Sequence, residues 1–115
     1  VSYAAYHRSA FMWPWETAPT SVAHGILDDE TYDWLAVVEA MLATGGSALV
    51  VDEETIERAN AVARETTAIP VDATGSAGLA GLLALRESGA VAADERVGVL
   101  LCGANTTAVD FEART

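Results

Sequence analysis

The chain is 115 residues long, one domain's worth, and its 51% hydrophobic content excludes a disordered polypeptide. Seventeen Asp and Glu residues against six basic ones give a formal net charge of −11, and every basic residue is Arg. With no basic patch to neutralise phosphates, nucleic acid and anionic membrane surfaces are poor partners.

Residues 1–27 read as an irregular, aromatic-rich segment. Tyr3, Tyr6, Phe11, Met12, Trp13 and Trp15 follow no helical or alternating period, and Pro14 and Pro19 interrupt any regular element. Such a segment is expected to bury its rings against the domain or against another surface. His7 and His24 have no Cys, Asp or Ser arrangement suggesting a triad, and are read as structural or solvent-facing.

Asp28-Asp29-Glu30-Thr31-Tyr32-Asp33 opens the first predicted helix, which runs to about Thr44. Acidic residues suit the positive end of the helix dipole, and an Asp can cap free N–H groups. Tyr32, Leu35, Val38, Met41 and Leu42 share one face by 3.6-residue spacing, and Gly45-Gly46 supplies a left-handed stop. The acidic cluster lacks the glycine hinge and distal Glu of a calcium loop, so it is read as helix capping and no metal site is expected.

Ser47-Ala48-Leu49-Val50-Val51 reads as a short buried strand, after which Asp52 caps a second helix with Ile56, Ala59, Asn60 and Ala63 inward. Glu54 and Arg58 stand four apart in the favourable orientation. Ile69-Pro70-Val71 is a further extended piece, its proline favouring an edge. Asp72-Ala73-Thr74-Gly75-Ser76 then turns into a third helix, Ala77 to about Ser88, closed by Gly89. Gly78 and Gly81 inside it suggest close approach to a strand or ligand.

After Asp94-Glu95, the apolar run Arg96-Val97-Gly98-Val99-Leu100-Leu101 reads as a strand buried on both faces, ending in Cys102-Gly103-Ala104-Asn105. Strand, helix, strand, helix, strand from residue 47 predicts an α/β fold: a three-layer βαβαβ unit with a parallel sheet. Ligands of open α/β sheets sit at the carboxyl ends of strands, which singles out Cys102. A lone Cys ending a buried strand is also a common apolar filler, and Ser76 also reads as a plain N-cap. No apolar run approaches the ~18 residues of a membrane span, and the N-terminal residues lack a charged-then-apolar signal pattern, so a soluble, cytoplasmic protein is expected. A single Cys agrees with a reducing compartment.

Four blocks carry a resemblance: Ser21-Val22-Ala23-His24-Gly25-Ile26-Leu27, Val50-Val51-Asp52-Glu53-Glu54-Thr55-Ile56, Asp72 to Gly81, and Leu100-Leu101-Cys102-Gly103-Ala104-Asn105. In this order and spacing they resemble the C-terminal third of the fold-type-II pyridoxal-phosphate enzymes, the tryptophan-synthase-β-like proteins that include threonine synthases and serine and threonine dehydratases. The likeness covers about residues 20–105. It implies that residues 28–115 are the C-terminal α/β portion of a cofactor-binding domain. It also implies that Cys102 faces the cofactor's pyridine nitrogen, with Gly103 and Asn105 in the loop beside the ring and Thr74, Gly75 and Ser76 in a flanking turn. A thiol is a weak neutral partner for that nitrogen, which suits β- or γ-elimination and replacement. Ala104 replaces a frequent second glycine, and Asp72 stands where many dehydratases have Glu.

The family's chemistry depends on a lysine that holds the cofactor covalently and on a glycine-rich phosphate loop. This sequence has neither. Its residues therefore include no catalytic group of that kind, and the expected partners are the remainder of the enzyme, bearing those two segments, and an amino-acid substrate: a hydroxy amino acid or its phosphate ester. A homo-oligomer is expected. The other reading is a non-catalytic α/β module whose aromatic segment and open sheet edges bind a partner chain.

Overall fold

A computed structural model of the protein describes residues 15–29 and 32–104, and these contain three α-helices and one 3-10 turn. Most of the aromatic segment (Tyr3, Tyr6, His7, Phe11, Met12, Trp13 and Pro14) and Asn105 lie outside the described residues. The chain forms two compact units: one from the chain up to Thr20 with Leu27–Leu49, the other from Ser21–Ile26 with Val50 onward.

The first unit holds helix α1, Trp34–Thr44. Asp33 occupies the N-cap position, but its carboxylate makes no cap hydrogen bond, so the capping expected of the acidic cluster is not realised there. Leu35, Val38 and Met41 are half-buried on one face, whereas Tyr32 and Leu42 are 77% and 70% exposed. The apolar stripe is thus narrower than the spacing predicted, and α1 is the one helix described in its unit. Gly45 ends it at φ +70°, the left-handed conformation that glycine adopts without a Cβ penalty.

The second unit is built on α2, Glu53–Thr67, packed against α3, Ala77–Glu87. Asp52 caps α2 as predicted, its Oδ1 accepting from the Thr55 N–H at 2.8 Å. The inward face is the predicted one: Ile56, Ala59 and Ala63 are buried. Ala23, Ile56, Ala59 and Ala80 form the core, with Val51, Ala73, Leu79 and Leu83 around it. Three of the four residues of that core are Ala. Arg58 does not serve as the i,i+4 partner of Glu54; its guanidinium lies 2.6 Å from Glu87 and joins α2 to α3. After α3, Gly89 takes φ +75°, and the Arg86 guanidinium returns to the carbonyls of Ala92 and Glu95, the latter at 2.9 Å.

The parallel-sheet α/β βαβαβ architecture is not what forms. Among the described residues there is no strand and no sheet; the one bridge, Val71 with Ala104, is isolated and antiparallel. The three apolar segments expected to be strands form no ladder, and in one of them the Val71 N–H turns back to the Ile69 carbonyl at 2.8 Å. Val50 is fully exposed and Leu100 is 86% exposed, while Val99 and Leu101 are only half-buried, so the run before Cys102 is not buried on both faces as an interior strand would be. The physical reason is that helices α2 and α3 satisfy each other's apolar faces directly. Short apolar runs become strands only beside a neighbouring strand that accepts their N–H groups, and among the described residues none lies beside them.

Candidate functional site

Three stretches far apart in sequence meet in the second unit. The first is the 3-10 turn His24–Ile26; the second is the turn Asp72–Ser76 that leads into α3; the third is Cys102-Gly103. The Gly25 N–H donates to Thr74 Oγ1 at 3.0 Å. The Cys102 N–H donates to the Gly75 carbonyl at 3.2 Å, and the Asp72 N–H to the Gly103 carbonyl at 3.0 Å.

The middle stretch is shaped by Asp72. Its Oδ1 accepts from the Gly75 N–H at 2.7 Å, and its carbonyl accepts from the Ser76 N–H at 3.1 Å and the Ser76 hydroxyl at 2.9 Å. A short Asp is well suited to such a turn, because its carboxylate reaches N–H groups two or three residues on. The turn leaves no room beside Gly75: a Cβ there would fall 2.3 Å from the Gly103 nitrogen and 2.6 Å from its Cα. A Cβ on Gly103 would lie 2.8 Å from Asp72 Oδ1. Gly75 is required by close backbone approach, whereas Gly103 leaves room for the Asp72 carboxylate.

Beneath this turn lies a small polar network. Ser76 is fully buried; its hydroxyl accepts from Asn60 Nδ2 at 3.1 Å, and the same amide donates to the Val71 carbonyl at 2.9 Å. Ser76 occupies the N-cap position of α3, but its side chain caps no N–H group. It is directed inward as a structural hydroxyl, so it offers nothing to a ligand at the surface. The Cys102 side chain, by contrast, is free and exposed. His24 is exposed on its turn.

A second set of contacts gathers at the start of α2. The Glu53 carboxylate accepts from the Val22 N–H at 2.9 Å and from the Ser21 hydroxyl, and these bonds, the hydroxyl's first, hold its carboxyl below the usual range. Asp52 is lowered too, by its bonds to Thr55 and, more weakly, by Arg58. Ser21 Oγ in turn accepts from the Ala23 N–H at 3.0 Å.

The residues singled out from sequence therefore divide. Thr74, Gly75, Cys102 and Gly103 come together, Ser76 sits below them, and Asn105 lies outside the described residues. Asn60 and Glu53 were not among them. A polar Asn among Ile56, Ala59 and Ala63 is itself a signal of a buried hydrogen bond, whereas nothing in the sequence links Glu53 to a segment 31 residues earlier. Among the described residues, no group of three or more His, Cys, Asp and Glu could hold a metal ion, and no helix is long and apolar enough to cross a membrane. No protein-family model matches the sequence, and no curated protein or solved structure matches it.

Proposed function

We propose that this chain contributes the ring-nitrogen side of a pyridoxal-phosphate site in a lyase or synthase acting on hydroxy amino acids or their phosphate esters, of threonine synthase or serine/threonine dehydratase type. The observation that carries the reading is the convergence of Gly25, Thr74-Gly75-Ser76 and Cys102-Gly103, blocks that resemble this family in sequence and lie up to 78 residues apart by their numbers (103 less 25). The helical architecture adds nothing to it, so the reading rests on the site.

The residues present fit one edge of such a cofactor. Cys102 offers an exposed thiol on a backbone fixed by the Gly75 carbonyl, and the two glycines keep side chains out of the seam beside it. A thiol donates or accepts weakly and carries no charge in its protonated form, so it leaves a pyridine nitrogen unprotonated. When bound, the cofactor supplies the electron sink for cleavage of bonds around the substrate's α-carbon. With no Lys in these 115 residues, the covalent attachment comes from another stretch of polypeptide. The role of this chain is to hold a thiol at one position and exclude bulk from the adjacent seam.

The natural reading frame tests this. A lysine-bearing block and a glycine-rich phosphate loop encoded upstream of Val1 support the proposal; a frame that contains neither overturns it. The second outcome would favour a non-catalytic module that binds a partner chain, a reading supported by the extended run before Cys102 with Leu100 uncovered.

A further inference from the structure

The segment Ser21–Ile26 is attached to the second unit in an unusual way. It enters from the first unit and returns to it at Leu27, so only its own contacts keep it in place. Those contacts are few and of two kinds. At one end the Glu53 carboxylate holds the Val22 N–H and the Ser21 hydroxyl; at the other Thr74 Oγ1 holds the Gly25 N–H. Between them Ala23 is fully buried against Ile56, Ala59 and Ala80. A single methyl group anchors the middle, which is a small apolar contribution beside a Leu or Phe.

We propose that Ser21–Ile26 is a detachable clip on the second unit, latched by Glu53 and opening as one piece. Its release uncovers two things at once: the Thr74 hydroxyl, now occupied by Gly25, and an alanine-sized apolar hollow between α2 and α3. Local opening of this kind belongs to segments with few buried contacts and solvent-exposed hydrogen bonds. The clip regulates access to the turn of the candidate site, but the proposal stands on its own contacts and does not depend on which ligand the turn takes. The titratable residues on the elements that meet here are Asp52, Glu54 and Glu57 at the start of α2, His24 on the clip and Asp72 on the turn. The Glu53 carboxyl is lowered by Ser21 and then by Val22, with burial opposing them weakly.

Two variants read from opposite ends test whether the segment moves as one. Glu53→Ala removes the latch and leaves Thr74 intact. Gly25→Ala places a Cβ 2.9 Å from Thr74 Oγ1 and 3.0 Å from its Cγ2, loosening the far end without touching Glu53. Amide hydrogen exchange is expected to rise on the order of tenfold at Gly25 in the first variant and at Val22 in the second. The α2 amides of Ala59 and Ala63 should keep wild-type protection in both. If each variant loosens only its own end, the clip does not open as a unit and the proposal fails. If Ala59 and Ala63 loosen to the same extent, the segment is part of the fold rather than a clip, and the proposal fails equally.

Discussion

Gly75 and Gly103 meet back to back, so that a Cβ on Gly75 would stand 2.3 Å from the Gly103 nitrogen and 2.4 Å from its oxygen. Those atoms are backbone and cannot rotate away. Gly75→Ala is therefore expected to push the Cys102-Gly103 stretch off the turn, breaking the Cys102–Gly75 and Asp72–Gly103 bonds. A destabilisation of about 2–3 kcal/mol is expected in urea unfolding, the scale of overpacking a tight site.

Asn60 and Ser76 form a coupled pair. Either Asn60→Ala or Ser76→Ala removes one member of a buried network, and each should cost about 1–3 kcal/mol. The double variant should cost less than the sum, since the second removal no longer orphans a partner. Strict additivity in a double-mutant cycle would show that the two groups do not interact energetically.

Two backbone positions should accept stabilising changes. Ala68 ends α2 at φ +56°, where an L-residue suffers a Cβ clash that glycine avoids. Ala68→Gly is expected to gain up to about 1 kcal/mol after glycine's own entropy cost. Gly78 was expected to permit a close approach that a side chain would block. A Cβ there meets the Leu100 oxygen at 3.5 Å and Val99 Cγ1 at 3.7 Å, ordinary contact distances. Gly78→Ala should therefore raise the melting temperature, gaining about 0.5–1 kcal/mol from helix propensity.

Acid should loosen the second unit in a defined window. Both Asp52 and Glu53 are lowered in the folded protein, so each contributes stability that is present above its unfolded-state value and lost as pH falls through the folded one. From these two groups the urea midpoint should stay level from neutral pH down to about pH 5 and fall below about pH 4.5, where unperturbed carboxylates begin to protonate. Glu53→Gln should flatten part of that acid limb. An unchanged limb in this variant would assign the loss to other carboxylates.

Cys102 gives a direct probe of the functional reading. Its exposure predicts that a disulfide-exchange reagent titrates the thiol in native buffer, without prior unfolding. Pyridoxine, which carries the ring but no aldehyde, should slow that reaction in a saturable way. Labelling at the same rate across a full pyridoxine titration would place the ring elsewhere.

The helices of the second unit were legible because local signals agreed. Asp52 before an Ile56-Ala59-Ala63 stripe set the start and inner face of α2, and Gly89 marked the end of α3. The sheet was misread for a reason equally physical. The run Val97 to Leu101 has the same composition whether it lies inside a sheet or uncovered at a surface. Only a neighbouring strand decides between them, and that neighbour is not encoded in the run itself. The candidate site was half legible. Thr74-Gly75 and Cys102-Gly103 could be picked out by type, but the inward direction of Ser76 depends on Asn60, which is supplied by a different helix. The Glu53 contact with Ser21 and Val22 was not legible, since an exposed Glu in a first helical turn ordinarily answers to the helix dipole alone.

The uncovered side chains of Val50 and Leu100 have a practical outcome at the bench. An environment-sensitive dye is expected to fluoresce on the isolated 115-residue chain before any heat is applied, as it does on partially melted samples of more conventional proteins. Dye-based melting curves of that chain should begin from a high baseline, so a bright signal at room temperature need not signal damage.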